Sequence, residues 1–228
     1  MAHLKRLRAP RFWPLSQRKG IKFVARPLPG AHKFEEAITL NVILIDLLKY
    51  TKTIKDSKRI LNQGTIRVNN QIRKSPKFAV GILDTISLTS LNEHYRVLYN
   101  NDGKISLERI QKEETESRLA KIKNKTILKK QITQLNLHDG TNMRVEKDNY
   151  KTGDTILLQE NKIKKSLKFE KGAIVYITGG KYKGRTGVVD HIEPSTAISE
   201  GKVTIKTNKE KITTKKDFAF VIEKPVSQ

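Results

Sequence analysis

The sequence predicts an α+β protein of several small domains, with helices laid on a small sheet in the first part of the chain and β-structure in the rest. Between Thr53 and Ile86 a helical apolar period gives way to two-residue alternation. Beyond residue 93, short alternating runs are separated by turns rich in Asn, Asp and Gly. Only 36% of the 228 residues are hydrophobic and 6% aromatic. That supply fills thin cores in domains of roughly 50 to 80 residues better than one large core.

Residues 1–34 contain nine Lys or Arg and no acid, and Glu35 is the first carboxylate. Pro10, Pro14, Pro27, Pro29 and Gly30 block a long helix and favour an extended path without a core of its own. Phe12, Trp13 and Phe23 are interleaved with the cations. Such a mixture can set rings against bases or into a groove while Lys5, Arg6, Arg8, Arg11, Arg18 and Lys19 meet phosphates. The alternative is a disordered solubilising tail. No apolar h-region follows the cations, so no secretory signal is expected.

From Ala37 to Tyr50 the chain is apolar nearly all round, interrupted by Asn41, Asp46 and Lys49. Its length favours a helix, covered on more than one side, over a strand. It is too short to span a bilayer.

Next, Thr53 can cap a helix whose Ile54, Ser57, Ile60 and Leu61 share one side, with Lys55, Lys58 and Arg59 on the other. Asp56, three residues after Thr53, is placed as in a capping box. Gly64 stops the helix, Thr65 to Val68 alternate as a strand, and Asn69-Asn70 form a turn that tolerates positive φ. Gln71 to Lys74 return as the second strand, so that Arg67, Arg73 and Lys74 join the helical cations. A plain solvated basic helix beside a hairpin is the bland alternative.

Across 93–160 the charges nearly balance, 13 basic against 11 acidic, so attraction to an anionic partner should be weaker there. His94 to Tyr99 and Lys104 to Leu107 read as strands joined at Asn100-Asn101-Asp102-Gly103. Glu108 to Lys123 suits either a helix or a strand with an exposed face. Further strands, punctuated by Asp139-Gly140 and Thr152-Gly153-Asp154, suggest a small β-barrel. His138 beside Asp139 has no nucleophile or ligand cluster with it, so turn chemistry is the better reading.

In the last part, Gly172, Ala173 and Val175 open a strand, Gly179-Gly180 and Gly184 shape a tight loop whose backbone can approach a partner closely, and Thr186 to Val189 return. Lys181, Tyr182, Lys183 and Arg185 crown the loop with charge and one stackable ring. Neither G-x-x-x-x-G-K-[ST] nor G-x-G-x-x-G occurs, which argues against a nucleotide site. Val203 to Ile205, Ile212 and Phe218 to Ile222 would complete a second barrel.

The whole chain carries 46 Lys plus Arg against 23 acids, a net charge of +23 that calls for a polyanion. It has no cysteine, which excludes disulfides, thiolate zinc sites and a cysteine nucleophile. No metal site and no cofactor are expected, and no catalytic residue is assigned.

The helix, Gly64, Ile66 to Asn70, Pro76 and Gly81 to Ile86 resemble the alpha-L RNA-binding domain, found also in tyrosyl-tRNA synthetase tails and pseudouridine synthases. Gly172 to Val189 resembles the KOW motif of SH3-like barrels. In this order, with His3 to Arg6, Ala9-Pro10, Trp13, Arg26-Pro27, His32-Lys33, Tyr95 to Tyr99 and His138 to Gly140, the chain resembles the archaeal and eukaryotic type of small-subunit ribosomal protein four. Asn69-Asn70 stands where many alpha-L domains have Asn-Gly, and the end soon after the barrel matches the shorter archaeal members.

The resemblance implies a structural constituent of the small subunit, cytoplasmic and ribosome-bound, that binds small-subunit rRNA beside neighbouring ribosomal proteins. It would use no small-molecule substrate, membrane or cofactor. It also implies a leader over 1–36 that threads between RNA helices, an alpha-L domain over 37–92, a β-rich domain over 93–168 and a KOW barrel over 169–228. The rivals are an RNA-modifying enzyme of pseudouridine synthase type using the alpha-L domain as a handle, and a transcription or translation factor that binds RNA reversibly.

Overall fold

The computed structural model describes residues 3–128, 132–146, 148–159, 162–194, 201–207 and 210–223. The first two residues of the expected leader and the last five of the expected C-terminal domain lie outside them. The chain divides into two units, Met1–Leu98 with Lys104–Arg118, and Tyr99–Gly103 with Leu119–Gln228. Both are mostly β-sheet.

The first unit opens with β1 (Leu4–Lys5) and β2 (Phe23–Val24), an antiparallel ribbon with Leu4 opposite Val24 and Lys5 opposite Phe23. β3 (Ile38–Thr39) leads into a helical turn, α1 (Leu40–Val42), which Ile43–Leu47 continue in π-helical geometry. Then come α2 (Ile54–Asn62), the hairpin β4 (Ile66–Val68) and β5 (Gln71–Ile72), β6 (Ala79–Val80), β7 (Thr85–Leu88), β8 (Glu93–Tyr99), β9 (Ile105–Arg109) and the single turn α3 (Lys112–Thr115). β3 pairs with β6, and a five-stranded sheet runs β5-β4-β7-β8-β9. Leu40, Ile43, Leu44, Leu61, Ile66, Val68, Val80, Ile86, Leu88 and Val97 are buried.

The single helix expected over Ala37 to Tyr50 is divided. Its start is a strand because Ile38 and Thr39, both β-branched, find partners in Val80 and Ala79. Thr39 then caps the short helix through its hydroxyl, which accepts from Val42 N. The last turn widens: Leu48 N donates to Ile43 O at 2.8 Å, and Leu44 O takes Tyr50 N at 3.0 Å. Lys49, at φ 57°, ends it.

The leader, expected to be extended, doubles back through β1 and β2 and, with no core of its own, packs on the rest of the first unit. Trp13 is 1% exposed and its indole donates to Ala37 O at 2.9 Å. Ile105 N donates to Phe12 O, and Leu28 N to Lys77 O, each at 2.9 Å. The His32 ring lies against Gly81, where a Cβ would come within 2.3 Å of it.

In the second unit, β10 (Ser117–Ile127), β11 (Thr133–Leu137), β12 (Asn142–Val145), β13 (Thr155–Gln159) and β14 (Lys162–Leu167) form a sheet of order β12-β11-β10-β13-β14. Ala120, Ile122, Leu135, Leu137, Ile156 and Leu158 are its core. The other sheet has β15 (Ile174–Ile177), β16 (Thr186–Glu193), β17 (Lys202–Lys206), β18 (Lys211–Lys215) and β19 (Ala219–Val221) in the order β18-β17-β16-β15-β19. Its core is Val175, Ile177, Val189, Val203, Ile205, Ile212, Ala219 and Val221.

One expectation changes here and one open choice is settled. The strands at 93–109 extend the first sheet instead of opening the middle one, which starts at Ser117. The ambiguous stretch Glu108 to Lys123 becomes the end of β9, α3 and the start of β10, because Ala120 and Ile122 enter the middle core. Asp139-Gly140 is the turn its sequence implied: the Asp139 carboxylate accepts from Thr141 N at 3.1 Å and Thr141 Oγ1 at 2.6 Å. Among the described residues no helix is long and apolar enough to cross a membrane.

Candidate nucleic-acid interface

The helix α2 is built as its residues dictate. Thr53 Oγ1 accepts from Asp56 N at 3.2 Å and donates to the Asp56 carboxylate at 2.7 Å. Ser57 and Leu61 are fully buried and Ile60 half-buried. Lys55, Lys58 and Arg59 are exposed on the other side. Ile54, expected on the packed face, is 53% exposed, since it opens the helix before the core begins.

Gly64 at φ 74° ends the helix, and Asn69 and Asn70 at φ 49° and 64° form the hairpin turn. Arg67 projects to solvent from between buried Ile66 and Val68. Lys74 is exposed. Arg73 is partly occupied: its guanidinium lies 4.5 Å from the Phe78 ring centroid and donates to Gln71 Oε1.

The leader's cations divide into two kinds. Lys5, Arg8, Arg11 and Lys19 are exposed. Arg6 is 5% exposed and ion-paired with Asp46 at 2.6 Å, while the Ser16 amide and hydroxyl bind the same carboxylate oxygen at 3.1 and 2.7 Å. Arg18 is half-buried and donates to Ala9 O and Pro10 O at 3.0 and 2.9 Å. Arg6, Arg18 and Trp13 are therefore structural here. A charge and a ring spent on internal partners look the same in sequence as those left for RNA.

In the Gly179 to Arg185 loop, Lys181 is exposed and Tyr182 is half-buried against the core of its sheet. Lys181 Nζ and the Arg185 guanidinium lie 5.7 and 5.2 Å from the Tyr182 ring centroid, and Lys183 Nζ lies 5.4 Å from that of Tyr99. Packing against the core, more than the cations beside it, limits Tyr182 as an open platform. Gly184, expected to let a partner approach, admits the chain's own backbone: a Cβ there would meet Asn100 O at 2.3 Å. Buried Tyr176 fixes the same turn, its hydroxyl accepting from Tyr99 N at 2.6 Å and donating to Tyr99 O at 3.1 Å.

Other cations escaped the sequence reading. Lys162, Lys164 and Lys165 are exposed on the edge strand β14. On the other sheet Lys202 faces Lys215 and Lys206 faces Lys211 across β17 and β18. Asp190 bridges Lys206 and Lys211 at 2.9 and 3.5 Å, and the hydrogen bond from Lys206 leads in holding its carboxyl below the usual range. Like charges set opposite one another repel, so the cross-strand register was the missing signal. Lys121 is internal: burial pushes its ammonium down to about 8, and it donates to Lys216 O, Asp217 O and Ala219 O at 2.8 to 3.0 Å. Among the described residues no group of His, Asp and Glu could hold a metal ion.

Comparison with known proteins gives this geometry its setting. The profile of the Ribosomal family S4e matches residues 91–164, that of the RS4NT (NUC023) domain 2–35, and that of the KOW motif 171–206. Small ribosomal subunit protein eS4 of Methanocaldococcus jannaschii is 43% identical, over 98% of this chain and 96% of its own length. The chain belongs to the eS4 family. The eS4 protein of Methanocella arvoryzae is 40% identical over 97% of this chain and 94% of its own. The crystal structure of the 30S ribosomal protein S4e from Thermoplasma acidophilum shares the fold at a TM-score of 0.71 and 32% identity, covering 82% of this chain and 95% of that one.

Proposed function

We propose that this eS4-family chain binds small-subunit rRNA through exposed cations held on rigid elements, and that it helps fix the RNA's folded arrangement. By family it is a structural constituent of the small ribosomal subunit and not an enzyme. The pseudouridine synthase and free-factor readings fall away, since relatives matching end to end are ribosomal proteins. In this reading residues 1–36 are the leader, 37–92 an alpha-L domain to whose sheet β8 and β9 are added, the rest of 93–168 the β-rich middle and 169–228 an SH3-like KOW barrel. The partners are rRNA and neighbouring small-subunit proteins on cytoplasmic ribosomes.

The observation that carries the proposal is the division of α2, whose Ser57 and Leu61 are buried while Lys55, Lys58 and Arg59 all face solvent. Arg67 and Lys74 on the hairpin, Lys5, Arg8, Arg11 and Lys19 in the leader, and exposed Lys181 with half-buried Lys183 and Arg185 beside it in the loop are the further cations that meet phosphates. A-form grooves hide base edges, so recognition rests on shape and backbone. Titration of the full-length protein with a small-subunit rRNA transcript across salt tests this. Replacing Lys55, Lys58 and Arg59 by Ala flattens the slope of log K against log salt by about 0.7 to 0.9 for each phosphate no longer neutralised. An unchanged slope would make that face merely solvated.

A further inference from the structure

We propose that the outer face of the β1–β2 ribbon is a stacking platform for one unpaired base of the small-subunit RNA, with Phe23 as the receiving ring. The inference rests on the RNA-binding reading above and adds an interaction of a different chemistry, with a base and not with phosphate.

The ribbon's register sorts its side chains. Leu4 and Val24 stand opposite one another and turn to the protein, half-buried and buried respectively. Lys5 and Phe23, the next pair, share the other face, and alternation puts His3 and Ile21 on that face too. Phe23 is 45% exposed and Ile21 55%, so this face carries apolar surface that the fold leaves uncovered. Of the other leader phenylalanines and tryptophan, Trp13 is buried, Phe12 is half-buried, and Phe34, less exposed than Phe23 at 38%, is tilted against Trp13 with ring centroids 6.2 Å apart.

What surrounds Phe23 selects the occupant. The His3 ring centroid is 5.4 Å away and tilted by 48°, and Lys22 Nζ lies 5.4 Å from the Phe23 centroid. Lys5 is directly across the ladder. Residues 1–34 hold no carboxylate to offset these cations. An apolar protein surface would gain from Phe23 and Ile21 but would have to strip water from Lys5 and Lys22 without compensation. A nucleotide suits both parts, its base on the ring and its phosphate beside the ammonium groups. A duplex buries its base faces in its own stack, so the base must be unpaired.

The test uses the full-length protein, a small-subunit rRNA transcript, and Phe23→Ala and Phe23→Trp variants. Phe23→Ala should weaken binding about 5- to 150-fold, the worth of one base–aromatic stack, without changing the salt slope. Phe23→Trp should restore affinity, and the added indole fluorescence should be quenched by the transcript. Chemical probing should find an unpaired nucleotide protected by the Phe and Trp forms and reactive with the Ala form. Equal affinity and equal probing patterns for Phe23→Ala overturn the platform while leaving the RNA-binding reading intact. Unchanged RNA affinity with poorer incorporation into subunits overturns it too, by making this a protein-docking face. Failure of the unaltered protein to bind the transcript would remove the reading beneath it.

Discussion

Asp84 shows how much of this fold depends on single buried polar groups. Its carboxylate accepts from Asn69 Nδ2 at 2.8 Å and Gly81 N at 2.7 Å, and lies 3.0 Å from His32 Nε2. Burial pushes its pKa up, but the charge of His32 and the hydrogen bonds from His32, Asn69 and Gly81 outweigh burial and hold it well below the usual carboxylate range. A depressed acid stabilises the folded state above its unfolded pKa of about 4 and loses that contribution as pH falls below it. Asp84→Asn should therefore cost the first unit about 3–5 kcal/mol at neutral pH and lessen its acid sensitivity. Urea unfolding at pH 7 and pH 3 checks this, and equal losses in both proteins would refute it. Such roles were poorly legible in the sequence. Asp46 stood out only as an interruption in an apolar run, and nothing local reveals that it receives Arg6 from 40 positions away. Arg6 and Trp13 carried the same composition signal as Lys5 and Arg8; only burial separates them.

The elements that were legible are those fixed by local chemistry. The Thr53 cap, the stop at Gly64 and the Asn69-Asn70 turn each need only a few adjacent residues, and each stands as its sequence implied. The Ala37 to Tyr50 run is not one helix, because its β-branched start is satisfied by β6, a partner 40 residues on. The KOW loop was placed correctly, but the use of Gly184 was not. Its φ of 87° and the approach of Asn100 O and Tyr99 O, 2.3 and 2.9 Å from a Cβ position, tie the loop to the 99–103 turn. Gly184→Ala should lower the stability of the second unit by about 2–3 kcal/mol. Gly180→Ala, at φ 80° but no nearer than 3.7 Å to a neighbour, should cost only about 1 kcal/mol of backbone strain. Thermal unfolding of the two variants separates the effects, and equal shifts would mean that the close approach contributes nothing.

For the chain as a whole, charge was the most legible property and domain limits the least. A net +23 over 228 residues leaves a self-repelling protein that a polyanion would stabilise by binding the folded form. The divisions near 36 and 93 were drawn where composition changes, whereas the fold follows hydrogen bonding: the leader packs within the first unit, and β8 and β9 extend its sheet. The family relation and the exposed cations together make the central claim that this protein is a fixed part of the small subunit. Sedimentation of a native lysate through a sucrose gradient at moderate salt, with the protein quantified against small-subunit RNA in each fraction, tests it most directly. The account predicts about one copy per small subunit and little protein at the top of the gradient, as expected for a polycation held by many phosphates. A mostly free or strongly substoichiometric pool would contradict it.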